Sequence, residues 1–112
     1  MKSFDNVKII YNELIERKAE NVVVLDINKV SSIADYFIIA SADSERGVKS
    51  LVDFVSKKIK ERFGNIGKIE GVSGGRWIVI DFGDVIVHVF HKDTREYFNL
   101  ESLWDDAKVV GL

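Results

Sequence analysis

The chain contains no cysteine. That absence removes disulfide frameworks, thiolate catalysis and cysteine-ligated zinc or iron-sulfur sites. Long apolar runs are missing as well. Those present, such as Val22 to Leu25 and Val85 to Val87, are strand-sized and far short of the ~20 residues that cross a bilayer, so no membrane association is expected. No charged segment followed by an apolar stretch opens the chain, so secretion is not indicated and a cytoplasmic home is expected. Histidine is scarce, with 2 residues, and a net charge of -2 does not produce the broad positive field that non-specific nucleic-acid binding requires.

What is present is the balance of one folded domain spanning 1–112. Hydrophobic residues make up 46% and charged residues 30%, enough for one core and too little chain for two. The charge is unevenly placed. Positions 1–76 hold 13 basic and 11 acidic side chains, whereas 77–112 hold 3 basic and 7 acidic, so a basic partner would favour the C-terminal third.

Along the chain, Phe4, Val7, Tyr11 and Leu14, supported by Ile10 and Ile15, recur at helical spacing and predict an amphipathic helix over 3–17, with Ser3 as a candidate cap. Val22 to Ile27 is a β-branched run, apolar on both faces, and reads as an interior strand. Ser31 and Ser32 mark a loop, and Ala34 to Ala40 reads as a second strand ended by Ser41 to Ser44. Asp43 or Ser44 then caps a helix whose apolar stripe is Val48, Leu51, Val52, Val55 and Ile59, with Gly64 as its left-handed stop. Lys68 to Ser73 forms a short strand, and Ser73-Gly74-Gly75 a turn. The order α-β-β-α-β-β-β-α predicts a single-domain α/β fold, a mixed sheet of about five strands covered by helices.

Gly83-Asp84 between two β-branched runs is a two-residue hairpin signal, with Gly83 taking a positive φ. Phe82 then pairs with Val85, and Asp81, Ile80, Val79, Ile78 and Trp77 pair in turn with Ile86, Val87, His88, Val89 and Phe90. Alternation sends Ile78, Ile80, Phe82, Val85, Val87 and Val89 to one apolar face, which should lie on the helices. The other face carries Trp77, Val79, Asp81, Ile86, His88 and Phe90, the mixture of aromatic and polar groups found at protein interfaces. A last helix capped by Asn99, with Leu100, Leu103, Trp104 and Ala107 inward, would cover part of it.

Catalytic and metal readings find little support. His88 and His91, three apart in a strand, point to opposite faces and cannot chelate together. Ser41, Ser44 and Ser73 sit in no nucleophile signature. Asp26, Asp35, Asp81 and Asp84 could hold magnesium in principle, but Asp81 and Asp84 flank a tight turn that recruits aspartate for backbone hydrogen bonding. Gly74-Gly75 lacks the lysine of a phosphate-binding loop. Lys49, Lys57, Lys58, Lys60 and Arg62 on the second helix read as solvated charge, interrupted by Asp53 and Glu61. No catalytic residue, metal ligand or cofactor is assigned.

Ala34-Asp35-Tyr36-Phe37, Ser44-Glu45-Arg46, Glu70-Gly71, Trp77 to Asp81, Phe82 to Phe90, and Thr94 to Glu101 with Leu103-Trp104 resemble, in order, the ribosomal silencing factor (Iojap) family over residues 4–107. The resemblance implies a translation repressor. It would bind the large ribosomal subunit through large-subunit protein fourteen and block joining of the small subunit, with minor ribosomal RNA contacts left open. A separate reading, compatible with it, has the exposed aromatic face pair with a second copy as a homodimer when the protein is free. The resemblance also implies a nucleotidyltransferase-like fold without the catalytic motif; the alternative is a metal-dependent nucleotide-handling enzyme of that fold. The implied partner-binding residues are Trp77, Asp81, His88, Phe90, Glu96, Tyr97, Asn99, Leu100, Glu101 and Trp104.

Overall fold

The computed structural model describes residues 3–29, 32–71, 75–98 and 108–112. In them the chain runs α1 (Ser3–Glu16), β1 (Glu20–Asp26), β2 (Tyr36–Ala42), α2 (Glu45–Phe63), β3 (Lys68–Gly71), β4 (Trp77–Asp81), β5 (Val85–His91), α3 (Lys92–Phe98) and β6 (Lys108–Val109). The strands make one mixed sheet in the order β3-β4-β5-β2-β1-β6. Its central β2–β5 pair is parallel and the other pairs are antiparallel. Parallel neighbours need a crossover connection, and α2 with the β3–β4 pair supplies it.

The helices cover one face. Val7, Ile10 and Leu14 of α1 and Val48, Leu51, Val52, Val55 and Ile59 of α2 pack on Val24, Ile38, Ala40, Ile80, Val85, Val87 and Val89 of the sheet. Helix α2 starts where Ser44, in extended conformation, accepts a hydrogen bond from the Gly47 amide at 2.9 Å, which satisfies one orphan donor of the first turn. It stops at Gly64, whose φ of 70° lets its amide close on the Lys60 carbonyl at 2.8 Å. Both ends agree with the sequence reading.

Several boundaries differ from it. Strand β2 runs to Ala42 because its parallel ladder with β5 continues through Ser41 opposite Phe90 and Ala42 opposite His91. Ser41, read as a strand end, is buried within the strand, where its hydroxyl donates to the Glu20 carbonyl at 3.3 Å. Ile15 does not support the apolar stripe of α1: it is 48% exposed. A helix also begins earlier than expected, at Lys92, where the His91 Nδ1 accepts the Asp93 amide at 3.2 Å. The sixth strand, β6, adds antiparallel pairs Leu25–Val109 and Asp26–Lys108 beside β1. Ser31, Ser73, Gly74, the side chain of Ser3 and the expected helix from Asn99 with Leu100, Leu103, Trp104 and Ala107 lie outside the described residues.

Candidate docking face

The β4–β5 turn sets the geometry. Gly83 has a φ of 95°, the Asp81 Oδ1 accepts its amide at 2.8 Å, and the Phe82 amide donates to the Val85 carbonyl at 3.0 Å. Asp81 thus performs the backbone hydrogen bonding that tight turns ask of it. The resulting register, from Trp77 opposite Phe90 to Asp81 opposite Ile86, is the one derived from the sequence. It turns Ile78, Ile80, Phe82, Val85, Val87 and Val89 toward the helices. Trp77, Val79, Asp81, Ile86, His88 and Phe90 fall on the other face.

That second face is graded from core to surface. Leu25, Ile27, Ala34, Phe37, Ile39 and Phe90 form a second buried cluster, against which Trp77, Ile86 and Val23 are partly buried. Phe90 is 0% and His88 7% exposed, whereas Asp81 is exposed and Trp77 and Val79 lie between. Neither His88 nor Phe90 therefore presents a surface to a partner in this conformation. This corrects the half-exposed reading of the face: Phe90 is buried in an apolar cluster with Leu25, Ile27, Ala34, Phe37 and Ile39, and Phe37 packs on the His88 ring.

Around Trp77 the packing is specific. Its ring stacks on Phe90 with centroids 4.9 Å apart and planes at 25°, and its Nε1 donates to the His88 Nδ1 at 3.2 Å. Phe37 meets the His88 imidazole edge-on at 4.8 Å. Burial among these rings pushes the His88 pKa down to about 4, so the imidazole is neutral at pH 7.

The β3–β4 register adds residues that sequence reasoning missed. Lys68 lies opposite Asp81 and Glu70 opposite Val79, so both share the Trp77 face, and the two are joined by an ion pair of 3.2 Å at the surface. No turn chemistry fixed their register, because the β3–β4 connection is longer than a tight turn. Arg95 was also missed as a structural residue. Its buried guanidinium donates through Nη1 to the Asn21 carbonyl and to the Ser41 Oγ, the latter at 2.8 Å, tying α3 to β1 and β2. The side chains of Glu96 and Tyr97, and Asn99, Leu100, Glu101 and Trp104 entirely, lie outside the described residues.

Other candidate chemistry is dispersed. Asp26 and Asp35 line a cleft of ≈ 260 Å³ with Asn28, Lys29 and Tyr36, where Asn28 bonds both carboxylates. Tyr36 there has its pKa raised by burial and by the neighbouring charges of Asp26 and Asp35. Among the described residues no group of three or more His, Asp or Glu is placed to hold a metal ion. Lys49, Lys57, Lys60 and Arg62 are exposed on α2, across the sheet from Trp77. No helix among the described residues is long and apolar enough to cross a membrane.

Comparison with known proteins supplies a family for this architecture. The family model described as "Ribosomal silencing factor during starvation" matches residues 1–112. The ribosomal silencing factor RsfS of Halalkalibacterium halodurans is 42% identical over 112 residues, covering 100% of this chain and 96% of its own. That of Bacillus subtilis is 40% identical over 97 residues, covering 87% and 82%. A mouse protein named "Mitochondrial assembly of ribosomal large subunit protein 1" is 29% identical over 102 residues, covering 88% of this chain and 45% of its own length. Among solved structures, protein CV0518 from Chromobacterium violaceum superimposes with a TM-score of 0.89 at 35% identity, covering 94% and 88% of the two chains. A Bacillus halodurans structure does so with a TM-score of 0.84 at 38% identity, covering 97% and 99%. With a match over its whole length and relatives of this identity, the chain belongs to the ribosomal silencing factor family, RsfS, whose members are regulatory proteins and not enzymes.

Proposed function

We propose that this protein represses translation in the cytoplasm by docking on the large ribosomal subunit, through large-subunit protein fourteen, so that the small subunit cannot join. The observation that carries this reading is the half-buried Trp77 at one end of the second face, stacked on Phe90, with Val79 and Glu70 next along the face and Lys68, Asp81 and Ile86 at its other end. A large aromatic on a face that it shares with charged groups is a composition found at protein interfaces. Asp81 and Glu70 suit a basic protein and would steer its approach more than add to its affinity. Occlusion needs no chemistry, in keeping with a regulatory family. Glu96, Tyr97, Asn99, Leu100, Glu101 and Trp104 extend the proposed surface along the C-terminal segment. Ribosomal RNA contacts are secondary to the protein contact, and self-association through the aromatic face shields it when the protein is free.

Co-sedimentation with separated ribosomal subunits tests the reading. The protein is expected with large subunits and not with small ones. Trp77→Ala should weaken that binding by about 2 kcal/mol, roughly thirtyfold in Kd, while leaving the fold intact. Normal binding by a Trp77→Ala, Asp81→Lys double variant would remove the surface proposed. Sedimentation of the free protein across a concentration series tests self-association.

A further inference from the structure

We infer that His88 is the positioning residue of the docking face: its Nδ1 fixes the indole of Trp77 in the orientation that a partner meets. The inference rests on the docking reading above and deepens it.

His88 sits where an apolar side chain would be expected. Its neighbours on β5, Val87, Val89 and Phe90, are all 0% exposed, and it is itself 7% exposed against Phe37 and near Phe90. Histidine brings two polar atoms into this setting. One, Nδ1, accepts the Trp77 Nε1–H at 3.2 Å. The other, Nε2, is buried with no hydrogen-bond partner among the described residues.

The donor fixes the tautomer. An indole N–H only donates, so Nδ1 carries no proton and the neutral ring holds its proton on Nε2. The buried Nε2–H is then a donor left unmatched, which a phenyl ring would avoid at similar volume. What histidine provides and phenylalanine cannot is the acceptor for Trp77.

That acceptor has a use. The stack on Phe90 is satisfied by either face of the indole, whereas the hydrogen bond to Nδ1 selects one of the two flipped orientations. An anchor already held in its bound orientation gives up less freedom on docking, and affinity rises accordingly. Burial keeps the imidazole neutral, so the lone pair on Nδ1 is present throughout the neutral range.

The test uses the full chain. Nitrogen-15 spectra of the unaltered protein at pH 7 should show His88 as the Nε2–H tautomer, with its Nδ1 coupled through the hydrogen bond to the Trp77 Nε1. His88→Phe should keep a melting temperature equal to or above that of the parent while its Kd for purified large ribosomal subunits rises about tenfold. His88→Asn, whose amide oxygen falls near the Nδ1 position, should return the Kd to within about threefold of the parent. A merely structural role would move stability and binding together and would not be rescued by asparagine. The Nδ1–H tautomer, or parent-like binding by His88→Phe, overturns the inference. If His88→Phe does not fold, the tautomer and coupling in the parent protein still decide it. Parent-like binding by Trp77→Ala is the separate signature of a failed docking reading, and it removes the role of His88 with it.

Discussion

A histidine enclosed by rings stays neutral at a cost that depends on pH. The His88 pKa is lowered from 6.5 to about 4 by burial, so between those values the unfolded chain takes up a proton that the folded chain refuses. Stability from this group is therefore full above pH 6.5, falls as pH drops toward 4, and levels off below. The difference is on the order of 3 kcal/mol. Urea unfolding of the parent and of His88→Phe at pH 7 and pH 4 isolates it, because the carboxylates common to both cancel. The advantage of the phenylalanine variant should grow as pH falls. Arg95 poses the opposite problem, a cation kept inside by hydrogen bonds to the Asn21 carbonyl and Ser41 hydroxyl. Arg95→Ala should cost about 2–4 kcal/mol in chemical denaturation, since it strips α3 of its tie to β1 and β2. Arg95→Lys should recover only part, because a compact ammonium does not reproduce the guanidinium fork.

Two glycines near the turn end of β4, Gly83 in the β4–β5 turn and Gly67 just before β3, separate backbone strain from packing. Gly83 has a φ of 95° and open space where a Cβ would stand. Gly67 has a φ of 72°, but there a Cβ would sit 2.7 Å from the Phe82 ring. Gly83→Ala should thus cost about 1 kcal/mol, the conformational term alone, and Gly67→Ala about 2–4 kcal/mol because Phe82 must also leave its place in the core. Thermal unfolding of the two variants gives the comparison. The hairpin itself was legible beforehand: a two-residue turn dictates register, and the register assigned every side chain of β4 and β5 to its face. Helix α2 was legible for the same local reasons, an apolar stripe bounded by Ser44 and Gly64. The pairing of β2 with β5 was not, because a parallel neighbour about fifty residues away leaves no mark in turn chemistry. His88 and Phe90 read as surface because the second apolar cluster gathers residues far apart in sequence, Leu25, Ile27, Ala34, Phe37 and Ile39 with Phe90; β6 went unread because two residues carry no pattern.

For the molecule as a whole, the sheet is unequally supported. Strands β2 and β5 have partners on both sides and apolar residues packed on both faces, whereas β3 has a partner on one side and is exposed at all four positions. Amide hydrogen exchange should rank them accordingly. Ile38, Ile39 and Val87 should exchange only through global unfolding, and the β3 amides through local opening that is cheaper by about 5 kcal/mol or more. Retarded exchange in β3 equal to that of β2 would contradict this picture. The exposed edge has a further consequence for the proposed docking face, which straddles both regimes. Trp77 is fastened to the stiff hub through Phe90 and His88, while Lys68 and Glu70 ride on the compliant rim. A partner would first engage an immobile aromatic and then clamp a strand that had been free to breathe. Occupancy would therefore be recorded most strongly in the lengthened lifetimes of the β3 amides, on the strand beside the anchor.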